Sequence, residues 1–292
     1  MTVKTTHRRL TARACQSGLQ DTGLRALHVC ARARRLPCLV LVATLVSLAG
    51  LPAHAMSPDN PTAGYADAGF SADLLIDSAR LDGGESIAYI LTLPKTARPD
   101  FVLIVMPGSS GLVRAQPGNG QPSFQGKSNF LVRSRVLLSG DDIAVATTDA
   151  ELNADRMRAI VGDLRSRFPG APIYIAGTSR STNVTAYLTD KMDGEVAGFI
   201  HTSAMAAISG LDTRGRRSRH LIVTHRQDGC SATPPSASIS NHERFGTELI
   251  VIDGGISEGN SCQPFAYHGF NGVEAQVADK IRAWIRKDVR NP

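Results

Sequence analysis

The 292-residue chain is poor in cysteine and in aromatic residues, and it has a single tryptophan, Trp284. Three of its five cysteines, Cys15, Cys30 and Cys38, fall near the N-terminus, so Cys230 and Cys262 can form at most one bridge downstream. His, Cys, Asp and Glu nowhere gather at metal-ligand spacing, and neither a metal nor a cofactor is expected. The one long apolar stretch, Leu39 to Leu51, is too short for a comfortable membrane span. There is no internal repeat, and no linker divides the chain beyond its first segment.

What the chain does have begins with a basic leader. Lys4, Arg8, Arg9, Arg13, Arg25, Arg32, Arg34 and Arg35 precede the apolar stretch, and Ala53-His54-Ala55 follows with the small-x-small pattern of a cleavage site. Residues 1–55 are read as a cleaved export signal rather than a retained anchor, which puts the protein in the periplasm or outside the cell. Residues 56–70, rich in Pro, Gly, Ala and Asp, are read as a flexible N-terminal segment, and residues 71–292 as one catalytic domain.

The net charge of +6 belongs to that leader, which holds eight basic residues and a single acid, Asp21. Its removal leaves a chain within one charge of neutral, so neither a nucleic-acid partner nor a membrane span is expected of the mature protein. The cluster Arg214, Arg216, Arg217 and Arg219 reads as a solvated loop. In an oxidising compartment an isolated cysteine pair predicts a Cys230–Cys262 disulfide.

Beyond residue 70 apolar runs alternate with helical spacing. Strands are predicted at about 72–77, 86–93, 101–106, 142–148, 172–176, 196–202, 221–224 and 248–252. Met157, Ile160, Val161, Leu164 and Phe168 mark a helix with Asn153 or Asp155 as cap, and Arg180 to Asp190 a second. Val273, Val277, Ile281 and Ile285 mark a closing helix, where Trp284 is expected in the core. This order predicts an α/β fold with a mostly parallel central sheet and helices on both faces, whose functional residues gather at the carboxyl ends of the strands.

Four strand ends carry suitable chemistry. Ile173-Tyr174-Ile175-Ala176-Gly177-Thr178-Ser179-Arg180-Ser181-Thr182 reads as strand, tight turn and helix, which would project the Ser179 hydroxyl as a nucleophile. Asp228, after the seventh strand, is the candidate acid, with Asp253 as its rival. His268, in the loop before the closing helix, is preferred as base over His201, His220, His225 and His242. Pro107-Gly108-Ser109-Ser110-Gly111 ends the third strand, and the backbone N–H groups of Ser109 and Arg180 are the candidate oxyanion donors.

On these residues the chain resembles the α/β-hydrolase superfamily. The likeness rests on Gly177-Thr178-Ser179-Arg180-Ser181, the Pro107-Gly108-Ser109 loop, and the order Ser179, Asp228, His268. It is most similar to a compact group of exported members with a Gly-Thr-Ser-Arg elbow. Ser181 departs from the pattern, which has glycine there. The resemblance implies about eight strands and hydrolysis of a carboxylic ester or related acyl bond through a Ser-His-Asp triad and an acyl-enzyme. Only about residues 203–220 are available for a lid, too few for a lid domain, and residues 112–129 are a candidate wall of an open cleft. A small or polymeric ester is the expected substrate. A non-catalytic binding protein of the same fold, and an acyl transferase or peptidase using the same triad, are the alternatives.

Overall fold

The computed structural model describes residues 74–287 apart from 82, 96–97 and 117–122. The expected export signal and flexible segment, residues 1–55 and 56–70, lie outside the described residues. Eight strands form one sheet: β1 (Leu74–Arg80), β2 (Ser86–Thr92), β3 (Phe101–Met106), β4 (Ile143–Thr147), β5 (Ile173–Thr178), β6 (Gly198–Thr202), β7 (Arg219–His225) and β8 (Glu248–Ile252). Their order across the sheet is β1-β2-β4-β3-β5-β6-β7-β8. β1 and β2 form an antiparallel hairpin, β2 runs antiparallel to β4, and every pairing from β4 to β8 is parallel.

Both faces of the central strands are covered, which is why their sequences read as unbroken apolar runs. In β3, Val102, Ile104 and Met106 pack on one face with Met157, Ile160 and Leu164 of α3 (Ala154–Arg167) and with Leu188 of α4 (Thr182–Met192). Phe101, Leu103 and Val105 face the other way, toward Phe130 and Leu131 of α1 (Phe130–Arg133), Leu138 of α2 (Arg135–Ser139), and Ile281 of α6 (Glu274–Arg286). Each such side chain, once buried, contributes about 1.5–3 kcal/mol. Asn153 caps α3 by accepting from the Arg156 N–H at 3.0 Å.

Three helices went unanticipated. In α5 (Pro235–Phe245) only Ala237, Ser238 and Asn241 are buried, so no apolar stripe marks it. The turns α1 and α2 are too short to show a period. Trp284 is 2 % exposed, donates to Glu248 at 2.7 Å, and lies under the Arg219 guanidinium at 4.1 Å. The basic cluster is ion-paired throughout: Arg214 with Asp212, Arg216 with Asp190, Arg217 with Asp193 and Arg219 with Glu248. Among the described residues no helix is long and apolar enough to cross a membrane.

Candidate active site

Ser179 follows β5 directly and opens a single helical turn, Ser179–Ser181, that leads into α4. Its φ is +53°, a left-handed conformation that costs a residue with a Cβ roughly 1–2 kcal/mol. The turn needs glycine two residues earlier. A Cβ on Gly177 would lie 2.7 Å from the Ser181 carbonyl oxygen and 2.9 Å from Thr185 Cγ2. Ser181 also has a local task, which accounts for serine where the pattern has glycine. Its buried Oγ accepts from the Thr178 N–H at 2.8 Å and lies 2.9 Å from the Thr178 and Met106 carbonyl oxygens, which share its one proton. That hydroxyl fastens the turn to the end of β3.

The loop after β3 closes in a turn, with the Gly111 N–H donating to the Gly108 carbonyl at 3.0 Å. A Cβ on Gly108 would sit 2.9 Å from both Ser179 Cβ and the Thr178 carbonyl oxygen, so the loop presses against the serine with no room for a side chain. Ser109 has a φ of +58°. Ser109 and Arg180 both line the cavity beside Ser179, and no turn or loop hydrogen bond takes up either backbone N–H among the described residues.

His268 lies in the short turn Tyr267–Gly269 and is 7 % exposed. Its Nδ1 is 3.0 Å from Asp228 Oδ2, and the Thr233 hydroxyl donates to that same oxygen at 3.0 Å while lying 3.0 Å from Nδ1. Asp228 Oδ1 accepts from the Cys230 N–H at 2.9 Å. With its hydroxyl proton on the carboxylate, Thr233 can only accept from the ring, so Nδ1 carries the proton and Nε2 is left as the basic nitrogen. The Ser203 hydroxyl holds the His268 backbone by donating to its carbonyl at 2.7 Å.

The rival positions are occupied otherwise. Asp253 is exposed and pairs with Arg226 at 2.9 Å, a hydrogen bond that lowers its carboxyl pKa. His225 accepts from the Gln227 N–H through Nδ1, bonds the Gly254 carbonyl through Nε2, and stacks on Tyr267 at 4.6 Å. His242 bonds the Thr247 carbonyl at 2.7 Å.

His201 and His220 are buried beside each other, ring centroids 5.9 Å apart, with His201 Nδ1 2.7 Å from the Thr185 hydroxyl. Neither nitrogen of His220, nor Nε2 of His201, has a protein partner among the described residues. Burial, with the neighbouring His220, lowers the pKa of His201 to about 3, and burial lowers that of His220 to about 4. In the unfolded chain both take up a proton near pH 6.5. Their contribution to stability is therefore complete above that pH and is lost as pH falls toward 4. At pH 5 each should cost about 2 kcal/mol of stability. The urea midpoint is expected to fall between pH 8 and pH 5, and His220→Phe should flatten the fall; an unchanged midpoint would sink the idea.

Ser179 and His268 share a cavity of about 480 Å³ lined also by Ser109, Arg180 and the disulfide cysteines. Among the described residues the Ser179 hydroxyl makes no hydrogen bond. The structure thus joins Asp228 to His268 directly, and brings His268 and Ser179 to one cavity without bonding them. Such bonds are often long in a free enzyme and tighten with substrate. Cys230 and Cys262 are joined, with Cα atoms 4.7 Å apart, linking the segment that follows Asp228 to the one that precedes His268. From the expected wall, Gly126, Ser128 and Asn129 reach the cavity. Among the described residues no three His, Cys, Asp or Glu side chains are grouped so as to hold a metal ion.

Sequence reasoning missed the supports. Arg133 and Glu274 form an ion pair at 2.9 Å, each with 3 % of its side chain exposed. The Arg133 guanidinium also donates to the carbonyls of Ser128, Pro264 and Gly269 at 2.5, 3.1 and 2.6 Å. It thereby ties the cavity wall to Gly269, the last residue of the His268 turn, and to Pro264 ahead of that turn. The one signal was an arginine ending the apolar run Phe130-Leu131-Val132. Nothing marked Thr233 beyond its nearness to Asp228.

No family model matches this chain, and no curated protein does. Solved structures do resemble it at low identity. An α/β serine hydrolase without a lid from Xanthomonas campestris is 16 % identical, covers 74 % of this chain and 96 % of its own, and has a TM-score of 0.50. For the esterase domain of a Rhodothermus marinus protein the figures are 15 %, 73 %, 98 % and 0.50. Est1E from Butyrivibrio proteoclasticus gives 15 %, 74 %, 99 % and 0.51. At such identities the likeness concerns the course of the backbone. With its eight-stranded, mostly parallel sheet and helices on both faces, this chain has the fold of the α/β hydrolases, and among the described residues no lid domain is inserted in it.

Proposed function

We propose that the protein is a serine hydrolase of carboxylic esters, with Ser179 as nucleophile, His268 as general base and Asp228 as the acid that orients it. One observation carries this reading: His268 Nδ1 is engaged by Asp228 at 3.0 Å while His268 and Ser179 line the same cavity. Ser179 Oγ attacks the acyl carbonyl and His268 Nε2 takes its proton. The N–H groups of Ser109 and Arg180 stabilise the tetrahedral oxyanion. Collapse breaks the bond to the alkoxy oxygen, which leaves as the alcohol with the proton from His268. A water then gives a proton to His268, attacks the acyl-enzyme, and releases the acid as Ser179 recovers its proton.

A fluorophosphonate should label Ser179, and a panel of p-nitrophenyl esters should show turnover that the same reagent abolishes. Absence of both sinks the proposal and leaves a binding protein of this fold. Turnover confined to peptides, or acyl transfer to an added alcohol in preference to water, would reassign the reaction class.

We further propose that residues 1–55 are an export signal and that the mature protein works in the periplasm or outside the cell. The Cys230–Cys262 bridge supports this, since such bonds persist in oxidising compartments. The bridge also ties the acid's segment to the base's. Full reduction and alkylation is expected to lower kcat about 10- to 100-fold while the far-ultraviolet circular dichroism is kept, the scale of an ångström-sized misplacement. Unchanged kcat after reduction would remove the bridge from the site's machinery.

A further inference from the structure

Charge in the cavity is one-sided. Of the described residues that line it, Arg180 is the one permanent cation, and no Asp or Glu accompanies it. Arg180 is exposed and makes no ion pair or side-chain hydrogen bond among the described residues. Elsewhere the guanidinium groups are mostly taken: Arg214, Arg216, Arg217, Arg219 and Arg226 each face a carboxylate. Arg133, close behind the cavity wall, is neutralised by Glu274. The charge of Arg180, one residue from the nucleophile, is thus left for something that enters from solvent.

A second donor points the same way. Asn129 lines the cavity, and its Oδ1 is committed to the Leu131 N–H at 3.2 Å as the cap of α1. That bond fixes the orientation of the amide and leaves its NH₂ as the free end. A Cβ on Gly108 would lie 3.5 Å from this Nδ2 and 2.9 Å from Ser179 Cβ, which places the amide close to the serine. A cavity lined by an exposed, unpaired arginine and by an asparagine with a free amide NH₂, and by no carboxylate, suits a substrate rich in acceptors and negative in charge.

We infer that the site selects esters bearing a second, ionised carboxylate, with Arg180 as the specificity-determining residue that pairs with it while Ser179 attacks the ester carbonyl. The inference rests on the hydrolase reading above. A planar guanidinium matches a carboxylate through two parallel N–H···O bonds, which a neutral ester cannot offer. The α4 amino terminus nearby adds positive potential of the same sign.

The test compares kcat/KM, by proton release at constant pH, within two pairs of alkyl esters. Monomethyl glutarate against methyl butyrate places the charge on the acyl side; acetoxyacetate against ethyl acetate places it on the alcohol side. Wild type is expected to favour the anionic member of at least one pair by about tenfold or more at low salt. The preference should shrink as ionic strength rises. Arg180→Met should bring that ratio near one, Arg180→Lys should retain part of it, and Arg180→Glu should reverse it. Because each ratio is taken within one variant, changes common to both esters cancel.

Ratios near one in wild type for both pairs, or a ratio that Arg180→Met leaves unchanged, overturn the inference. If Ser179 is labelled by fluorophosphonate yet no alkyl ester is cleaved, glutarate should slow the labelling more than glutaramide does; equal protection overturns the inference as well. In each of these cases labelled Ser179 leaves the hydrolase reading standing. A protein that neither labels nor turns over any ester loses both.

Discussion

Ser179→Ala is expected to lower kcat toward p-nitrophenyl esters by about a million-fold, the loss typical when the nucleophile of a serine triad is removed, while Tm moves by no more than a few degrees. The small thermal effect follows from the structure. Ser179 is partly exposed and its hydroxyl makes no hydrogen bond among the described residues, so its removal strands no partner. Alanine keeps the Cβ and with it the same left-handed backbone at φ +53°. Ser181, two residues on, should behave oppositely. It is 2 % exposed and its hydroxyl serves the Thr178 N–H and the carbonyls of Thr178 and Met106. Loss of that hydroxyl leaves a buried N–H without its acceptor, a cost of about 1–3 kcal/mol. Steady-state kinetics and a thermal melt on the two alanine variants separate a serine that reacts from one that holds the turn. Turnover surviving in Ser179→Ala would end the assignment.

Arg133→Met is expected to destabilise the protein by about 3–5 kcal/mol, because it leaves Glu274 buried without its counter-charge. For a domain of this size that corresponds to a fall in Tm of about 10 °C. It also strands the Ser128, Pro264 and Gly269 carbonyls. Two of these flank His268, so kcat should fall by more than KM rises. A double variant, Arg133→Met with Glu274→Met, should regain much of the stability, since a buried pair replaced by apolar groups is often near neutral. It should not regain kcat, because methionine cannot hold the carbonyls. Full recovery of kcat with stability would reduce Arg133 to a packing role.

How much of this was legible in the sequence depended on the range over which each residue acts. β3 and β8 have the bounds their apolar runs predict, Phe101–Met106 and Glu248–Ile252. β3 is specified locally by burial on two faces and a Pro-Gly stop, and β8, a partly buried edge strand, by its apolar run and an Asp-Gly stop. The turn at Ser179 was legible because strand, small residues and helix follow one another within ten positions. α5 was not, because polar Ser238 and Asn241 occupy its buried side. The pairing of Arg133 with Glu274 spans 141 positions, and no local pattern encodes it. Thr233 was invisible for a related reason: its role depends on a carboxylate and a ring that meet only after folding. Asp228 was favoured over Asp253 by chain order alone; the structure adds that Asp253 faces solvent and Arg226.

The cavity has two kinds of wall. On one side Ser179 and Ser109 stand at the tips of adjacent strands, and their positions are inherited from the sheet's own ladder of hydrogen bonds. On the other side His268 lies within residues 253–273, which contain only one brief helical turn and are secured by a disulfide, a buried arginine and side-chain hydrogen bonds to the His268 turn. The backbone of the first wall is inseparable from the architecture, so a shift of that backbone perturbs folding itself. The second is attached at discrete points and can be rebuilt residue by residue over an unaltered sheet. New cleft shapes in this scaffold are therefore open to variation on the histidine side, while on the serine side selectivity is left to exposed side chains such as Arg180 on a fixed backbone.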